Sequence, residues 1–244
     1  MIKITTKEVQ HVSALLGRKV SAGEQIVWTK ADQLRALQHA PEESLTWLCA
    51  QYVLPVFPMN NEKLHIKGVP TLQGLRFSRC NVHFAQGARL HNCSIKDSTL
   101  EVRNERLLAS GLLDLRGCEL LHTSLLGTGA LTVVHTTLAY CTVTAWAGPW
   151  VVQESSLHGI EVRRLVAGND SYIQRSTLVG AQFKEMMLEG AFIIRGCDLS
   201  HSTLHNISGR LRVEECDQTR ASIRYNEGAS IRPHHRGIDE PERT

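Results

Sequence analysis

From about residue 77 to residue 223 the chain repeats one five-residue step: an apolar residue, two of any kind, a small residue (Cys, Ser, Thr or Ala), one more, and again an apolar residue. The clearest tandem copies are Leu115-x-x-Cys118-x-Leu120-x-x-Thr123-x-Leu125, Val152-x-x-Ser155-x-Leu157-x-x-Ile160-x-Val162, Ile173-x-x-Ser176-x-Leu178-x-x-Ala181-x-Phe183 and Ile194-x-x-Cys197-x-Leu199-x-x-Ser202-x-Leu204. A period of five walks around a 3.6-residue helix instead of holding one face, so an amphipathic helix is excluded. On an extended chain, side chains two apart share a face. Each step is therefore read as a short strand and a bend, with the small residue and the apolar residue two further on both pointing inward.

The first small residues of the tandem copies fall at Cys93, Cys118, Thr136, Ser155, Ser176, Cys197 and Cys216, spaced by 25, 18, 19, 21, 21 and 19 residues. A recurrence of about twenty residues is one turn of a solenoid. With turns about 4.8 Å apart, seven or eight of them make a rod on the order of 35 Å long in which like residues form columns. The small-x-Leu-x-x step, as in Cys118-Glu119-Leu120-Leu121-His122, resembles the pentapeptide-repeat family over roughly residues 77 to 223. That resemblance implies a right-handed, four-sided parallel β-helix, and an all-β solenoid is the expected fold class. The step lapses between Thr144 and Val151 and between Val162 and Tyr172, where a less regular cross-section with longer side loops is equally compatible.

Residues 1–62 lack the repeat and read as a small α-helical N-terminal region. Thr5-x-x-Glu8 before Val9, Val12, Leu15 and Leu16, then Gly17, has the form of a capping box, an amphipathic helix and a C-cap glycine. A second helix is expected after Thr29 with Asp32 in its first turn. A third is expected to begin at Pro41, with Glu42 and Glu43 in its first turn and an apolar face of Leu45, Leu48, Cys49 and Tyr52. Helices this small cannot build a large core alone, so they are expected to cover the open end of a coil over residues 63–223; a separate recognition domain tied by Pro55 to Asn61 is the alternative. Residues 224–244 read as a polar, flexible tail in which the adjacent His234 and His235 lack companion ligands.

Charge narrows the function. The net charge is only +3, and residues 72–223 carry 15 Lys and Arg against 14 Asp and Glu. Some pentapeptide-repeat proteins resemble duplex DNA by displaying rows of carboxylates and so block topoisomerases; that resemblance would imply a strongly acidic rod, which this balance lacks. Nucleic-acid binding would need a basic stripe with interleaved aromatics, whereas Arg163-Arg164 and Arg210-Leu211-Arg212 read as solvated corners. No apolar stretch is long enough to span a membrane and the first residues are not a secretory signal, so a cytoplasmic location is expected. Six of the seven cysteines, Cys80, Cys93, Cys118, Cys141, Cys197 and Cys216, occupy the small slot that Ser, Thr or Ala fills elsewhere, and packing accounts for them.

No catalytic order of Ser, His and Asp, no phosphate-binding loop and no cofactor fingerprint is present, and neither an enzyme nor a bound cofactor is expected. Asp198 and Asp217 follow the small residue in neighbouring turns and should lie one strand spacing apart, a pairing a carbohydrate-active β-helix enzyme could use; their outward position beside Arg195 and Arg220 favours solvated carboxylates. Glu154 and Arg175 occupy equivalent outward slots one turn apart and predict an ion pair.

Between Glu119 and Glu154 lie 34 residues without one Asp, Glu, Lys or Arg. The band contains Tyr140, Trp146 and Trp150, and the segment from Ala145 to Trp150 interrupts the repeat. Aromatic residues in a charge-depleted patch are what an interface core contains. Tyr140, Trp146 and Trp150 are therefore candidate partner-binding residues, unless the indoles turn inward to fill a broad part of the coil. The function that follows is a non-enzymatic scaffold or inhibitor presenting its lateral surface to a protein partner or to a second copy in a homodimer, in the manner of bacterial or phage effectors and assembly factors. A topoisomerase- or nucleic-acid-directed inhibitor and a carbohydrate-active enzyme are the alternatives.

Overall fold

A computed structural model describes residues 1–51, 54–103 and 111–225. The repeat folds into a parallel β-solenoid of about eight turns with three strand faces per turn. The first face stacks Met59–Asn60, Arg76–Ser78, Ser94–Lys96, Glu119–Leu121, Thr137–Ala139 and Ser156–His158, and continues as single bridges through Thr177, Asp198 and Asp217. The second runs from Lys63–Ile66 through Thr142–Gly148 and Glu161–Ala167, and the third from Thr71–Gln73 through Ala130–Val134 to Tyr172–Gln174. The two merge in the long strands Gln182–Arg195 and Thr203–Glu214, which run across both faces.

Register follows the small-residue spacing. Thr99 pairs with Ser124, Ser124 with Thr142, Thr142 with Glu161, Glu161 with Gln182, Gln182 with Thr203 and Thr203 with Ser222, reproducing the sequence intervals in order. The apolar residues stack as expected: Met59, Phe77, Ile95, Leu120, Leu138, Leu157, Leu178 and Leu199 form one buried column.

The small residues hold the bends. In the corner between the third and first faces, Thr136 is typical: its Oγ1 lies 2.9 Å from the Val134 carbonyl and 3.2 Å from that of Leu115 one turn back, and it accepts the Cys118 N–H at 3.2 Å. Ser155 likewise accepts the Thr136 N–H, and Ser176 accepts that of Ser155. A short donor in this slot thus satisfies backbone groups that the bend removes from the strand ladder. The residue before each slot is in the left-handed region, as at Asn92, His135, Glu154 and Arg175. Among the described residues seventeen non-glycine positions share this conformation; it recurs at corners and bulges of the coil and does not mark a functional site.

The six coil cysteines occupy two such corners. Cys93, Cys118, Cys197 and Cys216 share the column of Thr136, Ser155 and Ser176, while Cys80 and Cys141 stand with Ser98 and Thr123 at the corner between the first and second faces.

The N-terminal region forms α1 (Val9–Leu16), α2 (Lys30–His39) and α3 (Glu42–Gln51), with a two-strand ribbon of Ile2–Lys3 and Gln25–Ile26 that the sequence did not reveal. The Thr29 and Asp32 capping box forms in full and Gly17 closes α1 in the left-handed conformation. Only half of the first box forms: Glu8 accepts the Thr5 N–H at 2.7 Å, and α1 starts three residues later than a Thr5 cap predicts. The helices lie on the first turn. Gln33, fully buried in α2, exchanges two hydrogen bonds with the Phe57 backbone, while Glu42 and Thr46 of α3 accept the N–H groups of Val69 and Thr71. Polar side chains thereby occupy the edge that an uncovered first turn would leave open. The coil begins at Met59, before the expected boundary at residue 63, and its last strand, Ser222–Tyr225, extends past residue 223. Tyr52 and the histidines at 234 and 235 lie outside the described residues.

The corner bonds make a direct prediction. Ser155→Ala strands the buried Thr136 N–H and should lower stability in urea unfolding by about 1–3 kcal/mol, whereas Ser155→Cys, with the donor used at Cys118, should recover most of the loss.

Candidate functional site

The segment from Ala145 to Trp150 bulges within the coil and turns both of its indoles inward. The second inward position of the second face is filled by Ile66, Phe84 and Val102 in the earlier turns and falls to Gly127 in the next; beyond the bulge of Thr142–Gly148 against Ser124–Thr128, Trp146, Leu165, Met186 and Ile207 stand buried on the same face. Trp146 is the first of these beyond the bulge, and its Nε1 donates to the Gly129 carbonyl at 2.9 Å. Close passage of successive turns here requires glycine: a Cβ on Gly129 or Gly148 would collide with the carbonyl of Gly111 or Gly129. Trp150 stacks on Leu131, and the turn above supplies small Ser171, whose hydroxyl accepts the Trp150 N–H; the indole packs edge-on to Phe183 with centroids 6.3 Å apart.

The three candidate partner-binding residues therefore separate. Trp146 and Trp150 are 0% and 1% exposed and belong to the core, which corrects their assignment to an exposed patch. Tyr140 is 54% exposed. It stands at the corner between the first and second faces, stacked on His122 (5.5 Å, 18°) and edge-on to His158 (5.4 Å, 86°). Gly159 makes room for it one turn on, where a Cβ would come within 2.9 Å of the tyrosine ring. Half-buried Leu121 and Ala139 flank this rung on the first face.

A second feature went unread in the sequence. On the outward side of the third face Val151, Tyr172 and Ile193 stack in register, and beside them opens a groove of about 610 Å³ lined by Asn169, Asp170, Tyr172, Gln174, Ile193 and Arg195 among others. Gln153 donates to the Tyr172 hydroxyl at 2.8 Å. The signal was present in Val151-Val152, Tyr172-Ile173 and Ile193-Ile194, where an outward apolar or aromatic residue precedes an inward one at equivalent positions.

Several of the coil's carboxylates are engaged locally. Glu154 pairs with Arg175 at 2.6 Å, as the sequence predicts, and with His135 at 3.4 Å; Glu161 holds Arg163 and Lys184; Arg195 meets Glu214 and Glu215. Such pairing interleaves both signs and produces no continuous acidic row along these turns. Asp198 and Asp217 are one turn apart, yet each turns to its own loop, accepting the N–H of Ser200 and of Thr219. The Thr219 hydroxyl and N–H hold the Asp217 carboxyl below its ordinary range, which disfavours Asp217 as a general acid. Among the described residues no three His, Cys, Asp or Glu side chains gather as a metal-holding group, and no helix is long and apolar enough to cross a membrane.

Stacked five-residue steps with a small corner residue and an inward leucine define the architecture. The fold is a parallel β-helix whose five-residue steps resemble those of pentapeptide repeats. No family model matches the sequence, and no curated protein matches it. Among solved structures, the plasmid-mediated fluoroquinolone resistance protein QnrB1 is 15% identical, covering 69% of this chain and 92% of its own, with a TM-score of 0.35. HetL, a pentapeptide repeat protein involved in heterocyst differentiation regulation in the cyanobacterium Nostoc, is 14% identical over 68% of this chain and 84% of its own, with a TM-score of 0.22. At that identity and score neither protein's role transfers to this β-helix.

Two predictions test the site's construction. Trp146→Ala should cost about 3–5 kcal/mol as a large core truncation, read from denaturant unfolding. Hydrogen bonds from Arg163, then Lys184, hold the Glu161 carboxyl down to about 2. Its contribution to stability is complete above the ordinary carboxylate range and is lost as pH falls toward about 2, so the stability difference between the native chain and Glu161→Gln should vanish across that interval.

Proposed function

We propose that this protein is a non-enzymatic scaffold or inhibitor that binds a protein partner, or a second copy of itself, through the lateral surface of the coil around Tyr140. The observation that carries the reading is the exposed rung of His122, Tyr140 and His158 within and beside a stretch of 34 residues devoid of Asp, Glu, Lys and Arg. An aromatic ring fixed by stacking loses little conformational entropy on association, and its phenol offers a hydrogen bond at the edge of an apolar contact. Flanking Leu121 and Ala139 keep the centre of the patch apolar, while Thr137 and the two imidazoles supply a polar rim. The partner surface that fits is neutral and apolar at its centre, with hydrogen-bond acceptors at its margin. The mixed charge of the flanking turns supports a protein partner over a topoisomerase- or nucleic-acid-directed role.

Tyr140→Ser in the full chain is the test. Affinity capture from the native host and sedimentation of the purified protein should show lost partner recovery or lost self-association, with the unfolding midpoint unchanged because the side chain is exposed. Association equal to that of the native chain removes the patch from consideration.

A further inference from the structure

The corner column brings thiols into neighbouring turns at two places. Cys93 and Cys118 are both buried, whereas the second pair lies in the last two turns, where Cys216 is the one cysteine among those described that is not fully buried. Arg195 pairs with Glu214 and Asp198 with Asp217, so Cys197 is stacked on Cys216 between them. The Cys197 N–H donates to Cys216 Sγ at 3.4 Å, which places that sulfur against the corner of the preceding turn.

Residues stacked in register on parallel strands are about 4.8 Å apart, with side chains running side by side. A disulfide needs Cβ atoms converging to about 3.8 Å and sulfurs about 2.05 Å apart, which parallel side chains at strand spacing do not offer. A straight thiolate–metal–thiolate bridge suits them better, because an ion midway between two sulfurs one strand spacing apart lies near bonding reach of both. We propose that Cys197 and Cys216 form a two-coordinate site for a soft monovalent ion, with Cu(I) the ion that thiolate chemistry selects. On loading, each thiol releases its proton to solvent and each sulfur donates an electron pair to the ion, with no change of oxidation state. The contacts from Cys197 Sγ to the Arg195 and Ile173 carbonyls (3.2 and 3.6 Å) and from Cys216 Sγ to those of Glu214 and Ile194 (3.1 and 3.5 Å) are given up. Zinc is a poor fit, since it requires four ligands and no larger ligand group is assembled among the described residues.

The full-length protein, reduced and kept anaerobic, is titrated with Cu(I) held by bicinchoninate. The expected result is withdrawal of copper from the chelator, with X-ray absorption showing two sulfur neighbours. Cys197→Ser and Cys216→Ser, which place a hydroxyl where Ser155 and Ser176 already stand, should keep the native unfolding midpoint and each lose the same ion. Cys93→Ser and Cys141→Ser should retain it. Failure of the native chain to compete for copper, uptake that persists in Cys216→Ser, or equal loss in Cys141→Ser would each overturn the assignment.

Discussion

The structure depends on one interaction: the small side chain at a corner that replaces the backbone hydrogen bonds a bend would otherwise forfeit. A strand running straight satisfies its N–H and C=O groups from the turns above and below. A chain that bends every few residues leaves buried groups behind, each costing about 1–3 kcal/mol if unpaired. Thr136, Ser155 and Ser176 answer this with one short hydroxyl apiece, bonded to carbonyls and accepting the N–H of the preceding turn. Larger side chains cannot enter the corner without displacing that contact. The slot therefore sets the composition of the repeat, and the leucine two residues later follows because it shares the inward face.

From that constraint most of the coil was legible. The intervals between corner residues equal the intervals between paired strands, because the corner is the feature that cannot slip without stranding its neighbours. The Glu154–Arg175 pair was legible for the same reason: equivalent positions in adjacent turns are adjacent in space. The orientation of Trp146 and Trp150 was not. Alternation identifies which side chains share a face only while the strand is regular, and the bulge at Ala145 breaks the count where the tryptophans stand. A bulge can carry its side chains out to solvent or into the coil; the burial of Trp146, with Leu165, Met186 and Ile207 in the turns beyond it, shows that they turn inward here. None of those three residues looks unusual alone, so the interior column emerges only once the turns are stacked.

The N-terminal region fails and succeeds in smaller ways. Thr29 with Asp32 and Gly17 act locally, and their sequence signals translated directly into caps. Placement of the helices over the first turn depends on contacts with no sequence period. Gln33 is a polar residue in an otherwise ordinary helix until the Phe57 backbone stands opposite its amide. Its burial is intelligible only as part of the joint between helices and coil, where two backbone groups are satisfied by one side chain.

An interior so constrained shifts functional variety to the outward positions and to the choice among permitted corner residues. Stacking places like positions about 4.8 Å apart, so the chemistry available to the coil is largely that of neighbours in a column. His135, Glu154 and Arg175 make an ion-paired column; His122 and Tyr140 make an aromatic one above Gly159; Cys197 and Cys216 make a thiol one. The ion-paired and aromatic columns stand at the left-handed residues of their corners, and the thiols in the small slot that follows such a residue. A partner-facing surface and a metal-sized pair of sulfurs can thus arise at two corners of one coil through the choice of side chain alone. The uncharged band matters for this reason: where ion pairs are absent from the outward columns, an exposed ring remains open to another molecule, because no neighbouring charge claims its face.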